Sequence, residues 1–593
     1  MSPGALKTDE RQKILPLTAT SASRGPRYEP HESLSLPRSL GLGVQPCFIY
    51  AAGVLITPVI VIKASGGDDS YLAWMIFATL ATIGMTTLLQ VGRIGRMGTG
   101  LVLPMRTSFI SIPFCIMALV DGGPATLTTL VLVTAAFQIL IARWLFILRR
   151  IVTPLVGGTV LMIVTLSLAS VVFNLLNTET ESGRGDAFMV ALVTGIVIVI
   201  LTLRGSAALR LWAPIICIII GCAVAVYLDI YDFERVTQAD WVGFPASGWP
   251  GPGLAFGTPF WTLLPAFLFI GAIIAIQVNG DVIAVQQVSW RQTRAIDFRK
   301  VQGAIRSTGV GNLVCGIAGT VPNVTTGGIV SFIQITGAAS RNVGYCIGGI
   351  FLALAFLPKV SGLFSNIPGP VIAGYFVVVI GFMFVEGART VIRYGTDRAK
   401  ILIAGVSFWV GAAFEYRLFV PPDFGPLWGT MFQSGVTTGG LTAIILTLFM
   451  EITSPRRMRF RSPLGTEALP ELTAFITKFS DRKDWGPDMA HRLVMVAEEV
   501  LLSLLPAEEG KSRGDRQRLV VMASSDGPQA ELEFIVATSE ENLEDRIQQH
   551  RQYDHASSGE HEISLRLLQH YASSVRHQQY HEMEIVTIRV DPI

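Results

Sequence analysis

Gln277 and Asp281 stand four residues apart in the apolar run FLFIGAIIAIQVNGDVIAV. A spacing of four puts both on one face of a helix. The Gln277 amide offers one acceptor and two donors to the edge of a planar ligand, but it cannot carry a proton. An ionisable group inside an apolar span is costly and usually functional. Asp281 therefore reads as the carrier of a coupled proton or the partner of a coupling cation. Arg106 lies between Pro104 and Ser108 in GLVLPMRTSFISIPF, where its guanidinium would attract an anion, a carboxylate or an enolate. Gly327 and Gly328, in PNVTTGGIVSFIQITG, permit close backbone approach to a ligand.

Each of these residues also has a plainer reading. Gln277 and the glycines would serve helix packing. Asp281 would pair with Arg291 or Arg294, and Arg106 would snorkel. Asn323 and Thr325 would cap a short helix. Glu386 would be structural, neutralised by Arg389. No histidine lies between His31 and His491, so no histidine relay is available within the apolar body.

The elements that position these residues are membrane spans. About 20 apolar residues cross a bilayer as a helix. Qualifying runs sit near 45–64, 71–92, 124–147, 151–176, 187–204, 209–228, 259–284, 303–321, 342–357, 366–386, 399–416 and 435–452. The stretches near 100–118 and 322–337 are apolar but short and punctuated by Gly and Pro. Counting both predicts about fourteen crossings. With the N-terminus inside, Arg and Lys then gather in the cytoplasmic loops, while Asp68, Asp69, Asp121, Glu179, Glu181, Asp186, Asp229, Asp232, Glu234 and Asp240 fall outside. Both termini are then cytoplasmic. The short segments become the third and tenth crossings, seven apart, which suggests two halves of opposite orientation. Interrupted segments at matching places in two halves point to a transport site. Lipid cannot satisfy the backbone groups that such breaks expose, so protein, water or a solute must. Facing half-helix N-termini would add positive dipole ends at mid-membrane.

Composition agrees with that division. The chain has 593 residues, half of them hydrophobic, and a mean hydropathy of +0.51. Residues 461–593 hold 37 of its 90 charged side chains, so an apolar body joins an ordinary soluble tail. A net charge of +2 gives no reason to expect nucleic acid as a partner. The six cysteines lack metal-ligand spacing and read as small buried hydrophobes. Residues 1–40 read as a cytoplasmic, largely disordered tail with no signal-peptide core. Nothing points to covalent catalysis, a cofactor or a metal.

Residues 277–343 resemble the nucleobase–ascorbate transporter family, the xanthine/uracil permeases. Pro322, Asn323, Thr325 and Gly327, then Thr336, Ala339, Ser340, Arg341 and Val343, match its PNTT and ASR motif run. NIPGPVIAGYF resembles its SIPDPVVGG segment, and LPMRTSF its stretch that opens on LP and closes on SF. The resemblance covers about 40–455. It implies a seven-plus-seven inverted repeat with core and gate domains, often dimeric, and alternating-access symport of a nucleobase such as uracil, xanthine or urate with H+ or Na+. Anion exchangers share the fold. It implies substrate contacts at Gln277, Ser108, Phe109, Thr326, Gly327, Gly328 and Arg106, and the coupling ion at Asp281. Gln277 and Gly328 stand where the family commonly has glutamates. Anion transport with Arg106 as the attracting charge, and a ligand sensor signalling through the tail, are the other readings.

The tail, about 456–593, reads as a small cytoplasmic α/β domain. DMAHRLVMVAEEVLLSLL has helical periodicity, and LVVMAS, ELEFIVA and EIVTIRV look like strands. The order resembles the Bergerat-type ATPase domain of anti-sigma-factor kinases. Ser503 replaces its magnesium Asn, Ala537 and Ser539 its adenine-reading Asp and Gly, and HEISLRLLQHY lacks the phosphate-loop glycines. No ATP hydrolysis is expected. A regulatory or protein-binding role is, with the histidines spread over a solvated surface.

Overall fold

The computed structural model describes residues 25–144, 153–176, 184–231, 240–245, 248–251, 253–292, 294–395, 397–418, 434–453, 457–505, 518–526, 529–536, 570–580 and 583–591. The apolar body is helical. In chain order, α1 is Leu36–Ser65 and α2 is Asp69–Gly92. A three-residue strand β1, Met105–Thr107, leads through a 3-10 turn into α3, Ile112–Arg143. Then come α4 (Pro154–Leu175), α5 (Arg184–Arg204), α6 (Ala207–Tyr227), α7 (Thr258–Val288) and α8 (Phe298–Ala318). A second short strand β2, Asn323–Thr325, precedes α9, Ile329–Thr336. The body closes with α10 (Arg341–Ala355), α11 (Pro358–Ser365), α12 (Gly369–Tyr394), α13 (Arg398–Glu415) and α14 (Gly435–Thr453).

Every predicted apolar run coincides with a helix. Among the described residues, eight helices are long and apolar enough to cross a membrane, nine if α10 and α11, bent by 80°, count as one span. The expected boundary between the third and fourth crossings falls inside α3, at Gly123 before Pro124. There φ is 72° and ψ is −174°, which glycine adopts at no steric cost.

The helices pack in two groups. One contains α1, α2, α3, α7, α8 and α10, and the other α4, α5, α12, α13 and α14. Small residues let backbones meet. A Cβ on Gly158 of α4 would sit 2.7 Å from the Gly387 carbonyl oxygen of α12, and one on Gly84 of α2 would sit 2.8 Å from that of Gly348 on α10. Five of the six cysteines are buried and the sixth, Cys222, is half-buried, as expected of small hydrophobes.

The N-terminal segment departs from the tail reading. Residues 25–35 form a strap across the start of α10. Tyr28 bridges Ala338 in parallel, the Ala339 and Arg341 N–H groups donate to the Tyr28 and Pro30 carbonyls, and Arg291 donates twice to Glu32 at 2.7 Å. Hydrogen bonding to Arg291 holds the Glu32 carboxyl below its ordinary range. The predicted tail overlooks this because the strap's order comes from distant partners.

After α14 the chain becomes an antiparallel sheet of order β3-β4-β5-β7-β6. Its strands are Met458–Pro463, Arg518–Asp526, Gln529–Val536, Ser574–Gln579 and Glu584–Val590, numbered β3 to β7 in chain order. Two amphipathic helices, α15 (Leu469–Asp481) and α16 (Pro487–Leu504), join them around a core that includes Leu472, Val496, Leu532, Phe534 and Ile588. The three predicted strands and the predicted helix are present. Ala537, Ser539 and most of the HEISLRLLQHY stretch lie outside the described residues. One histidine departs from the solvated reading: His577 is buried and its Nε2 lies 3.2 Å from Glu584 Oε2. It sits on the inward face of β6, where the neighbouring strand supplies the carboxylate.

Candidate functional site

The two interrupted segments meet. β1 and β2 pair antiparallel, with Met105 opposite Thr325, Arg106 opposite Val324 and Thr107 opposite Asn323. The pairing extends past the strands: Ser108 N–H donates to the Pro322 carbonyl at 2.9 Å, and Thr326 N–H to the Pro104 carbonyl at 3.1 Å. An extended stretch inside a helical bundle needs other partners for its outward backbone groups. Asn312 of α8 supplies two, accepting from Asn323 N–H at 2.6 Å and donating to the Asn323 carbonyl at 3.1 Å. Gln138 of α3 accepts the second Asn312 amide hydrogen at 2.9 Å. Thr87 of α2 accepts from Met105 N–H at 3.0 Å. The crossing point is thus braced by α2, α3 and α8.

Asp281, on α7, approaches this pair from the side. Thr325 Oγ1 donates to Asp281 Oδ2 at 2.7 Å. Gly327 lies so close that a Cβ there would stand 2.5 Å from Asp281 Oδ1. Arg106 lies within electrostatic reach of Asp281, Tyr50 and Tyr375. Among the described residues, however, Arg106 and Asp281 form no ion pair at 4.0 Å or less. Arg106 donates to the Thr107 carbonyl at 3.0 Å and stacks over the Phe109 ring, 4.6 Å from its centroid. Phe109 in turn meets Phe376 of α12 edge-on at 5.8 Å, so the second helix group closes one side. Tyr50 of α1 and Thr326 turn their hydroxyls toward Gly328: a Cβ there would sit 3.4 Å from Tyr50 Oη and 3.5 Å from Thr326 Oγ1.

Arg106, Phe109, Asp281, Thr326, Gly327 and Gly328 therefore surround one place in the fold. Ser108 belongs to the same turn; its hydroxyl is buried without a hydrogen-bond partner among the described residues, while its N–H serves the strand pair. Gln277 is half-buried one helical turn before Asp281. Three expectations change. Asn323 and Thr325 do not cap α9: Thr325 binds Asp281, the Asn323 side chain donates to Thr82 at 3.3 Å, and Gly328 stands at the helix start. Arg291 is not a partner of Asp281, because Glu32 holds it. Glu386 and Arg389 make no ion pair among the described residues. Tyr50 and Tyr375 were not singled out from the sequence. Tyr50 sits in an apolar helix with no polar neighbour to mark it, whereas Tyr375 lies in the NIPGPVIAGYF segment, whose likeness to the family motif is a usable signal.

Comparison with known proteins settles the family. The profile of a permease family of xanthine/uracil type matches residues 38–416. The chain belongs to the xanthine/uracil permease family. A xanthine permease of Escherichia coli strain K12, XanP, is 27% identical over 463 residues, spanning 75% of this permease and 98% of that protein. The uric acid permease PucJ of Bacillus subtilis strain 168 is 26% identical over 432 residues, spanning 70% and 93%. In fold, this permease is similar to the murine Solute Carrier 26 family member A9 anion transporter in its inward-facing state, with a TM-score of 0.50, 11% identity and 76% of each chain covered. The permease is a multi-pass membrane transporter and not an enzyme.

Proposed function

We propose that this permease carries oxidised purine bases of the xanthine and urate type across the membrane by alternating access. One observation carries the reading: Arg106, Phe109, Asp281 and Thr326 are gathered where β1 and β2 cross. An oxopurine is flat and carries alternating carbonyl and N–H groups on its edges. Arg106 donates to a carbonyl, Gln277 both donates and accepts, the free Ser108 hydroxyl adds another polar contact, and Phe109 supports the ring plane. Gly327 and Gly328 leave the backbone open to it. The relatives named as xanthine and uric acid permeases support that chemistry. Asp281 carries the coupling proton or cation, as the acid at the site. Its charge, within electrostatic reach of Arg106, weakens the reading of Arg106 as a free anion trap.

On this reading the short segments complete fourteen crossings in two inverted halves of seven. The group with α1, α2, α3, α7, α8 and α10 is the core, and the group with α4, α5, α12, α13 and α14 is the gate. Both termini face the cytoplasm of a bacterial inner membrane, and the permease works as a homodimer. The transporter domain runs to 455 and includes the strap and α1, and 456–593 is a Bergerat-like unit that binds a regulatory protein without hydrolysing ATP. Uptake of labelled xanthine into proteoliposomes tests the transport reading. Gln277→Ala should lower kcat/KM about tenfold to a hundredfold, equivalent to roughly 1.4 to 2.7 kcal/mol. Xanthine binding without any flux would instead assign the protein as a sensor.

A further inference from the structure

A second cluster of polar groups lies away from the β1–β2 crossing, at the end of the bundle crossed by the strap. Its centre is Trp290, in the connection between α7 and α8. The Arg294 guanidinium lies 4.0 Å from the Trp290 ring centroid, and Lys300 Nζ of α8 lies 5.1 Å from it. His31 of the strap packs on the same ring at 5.6 Å. The Arg341 guanidinium at the start of α10 bonds the His31 imidazole. Arg93, after α2, adjoins Arg341: a Cβ on Gly100 between them would stand 3.6 Å from Arg341 Cζ and 3.7 Å from Arg93 Cδ. Three guanidinium groups, one ammonium group and an imidazole thus share one place.

The carboxylates nearby are already engaged. Glu32 pairs with Arg291 at 2.7 Å, and Glu29 accepts from the Arg291 N–H at 3.0 Å. Asp297 caps the start of α8 and pairs with Arg299 at 3.0 Å. Among the described residues, none of Arg93, Arg294, Lys300 or Arg341 has an ion pair at 4.0 Å or less. Arg341 Nε is buried with no hydrogen-bond partner among the described residues, a donor removed from water without compensation. Like charges held this close raise the local potential and favour an anion with several acceptor oxygens. Guanidinium groups match phosphate geometry in particular.

We infer that Arg93, Arg294, Lys300, Arg341 and His31, set around Trp290, form a binding site for a phosphate-bearing anion, separate from the transport site. Two sources supply that chemistry: the headgroup of an anionic phospholipid, which juxtamembrane basic clusters recognise, or a soluble phosphate. His31 belongs to the strap, so occupancy also fastens the strap to α10 and to the α7–α8 connection.

The full chain is tested by thermal unfolding, since a ligand of the native state raises the midpoint. In neutral detergent the probe is inorganic pyrophosphate, titrated against chloride at constant ionic strength. In vesicles the comparison is phosphatidylcholine alone against an equal mixture with phosphatidylglycerol. A rise with pyrophosphate assigns a soluble ligand, and a rise only with phosphatidylglycerol assigns the lipid. Either rise should vanish in the triple variant Arg93→Gln, Arg294→Gln, Lys300→Gln. It should persist in a control that removes three other charges, Arg204→Gln, Arg393→Gln, Arg398→Gln. Should the triple variant not fold, Lys300→Gln alone should show a reduced rise at low probe concentration. No rise with either probe overturns the inference. So does an undiminished rise in the site variants, or equal loss in the control.

Discussion

A carboxylate within a membrane bundle must be solvated by its neighbours, and Asp281 takes that solvation from Thr325 and the chain at Gly327. Gly327 is the tightest of these constraints. With a Cβ 2.5 Å from Asp281 Oδ1, Gly327→Ala must push the carboxylate or the start of α9 aside. Xanthine uptake should fall by about a hundredfold or more, roughly 2.7 kcal/mol in transition-state terms, while the unfolding midpoint changes little. Wild-type uptake in this variant would remove Gly327 from the site. Asp281→Asn separates coupling from binding: concentrative uptake driven by an ion gradient should be lost, while exchange of labelled for unlabelled xanthine persists. If accumulation survives, the coupling ion binds elsewhere. At this scale the sequence was informative where a polar residue interrupts an apolar run, as at Arg106, Gln277 and Asp281. It was silent at Tyr50, because one aromatic among apolar neighbours carries no mark of what it faces.

The short strands show what hydropathy can and cannot reveal. Gly and Pro punctuation exposed two interrupted crossings, because breaks in a span are visible along the chain. Their mutual pairing was not visible, since it depends on registering residues more than 200 positions apart. Nor was the bracing by Asn312, which looks like an isolated polar residue in α8 until its two backbone bonds to Asn323 are seen. Asn312→Leu should orphan both groups, at a cost of about 2 to 5 kcal/mol. The unfolding midpoint in detergent should drop by several degrees, and transport should be lost together with it. An unchanged midpoint would mean the strand pair is held by other contacts. The strap offers a milder case. Because Glu32 is held below the ordinary carboxylate range by Arg291, its clasp is complete above that range and is lost as the pH falls below it, through the lowered value of the folded state. Glu32→Gln, or acidification, should therefore speed hydrogen exchange at the amides of Tyr28, Ala339 and Arg341. Equal exchange in the variant and the wild type would show that the strap is held by its backbone bonds alone.

For the whole molecule, the C-terminal sheet matters because it is attached at two points. Its first strand, β3, follows closely on α14, a helix of the second packing group. Its far edge, β6 and the residues after it, meets the start of α8 in the first group. Tyr580 stacks against Phe298 at 5.2 Å, and Gln579 accepts from Arg299 at 3.2 Å. The division of charge along the chain announced a soluble unit, but not this second attachment, which uses two aromatic rings that look ordinary in sequence. The sheet therefore bridges the two helix groups. The proposed alternating access has those groups move against each other around the β1–β2 crossing, and on that reading the movement shears the contact between Tyr580 and Phe298. Fixing the contact should then stop the cycle without blocking the site. Phe298→Cys and Tyr580→Cys, placed in a background with the six native cysteines replaced, can be joined by a short thiol-reactive cross-linker. Cross-linked protein in proteoliposomes should bind xanthine but lose most of its uptake, and a cleavable linker should restore uptake on reduction. The release variant, Tyr580→Ala, should do the opposite and leave uptake equal to or faster than that of the wild type. Full uptake in cross-linked protein would mean that the sheet rides with both helix groups through the cycle, and that its contact with α8 does not resist transport.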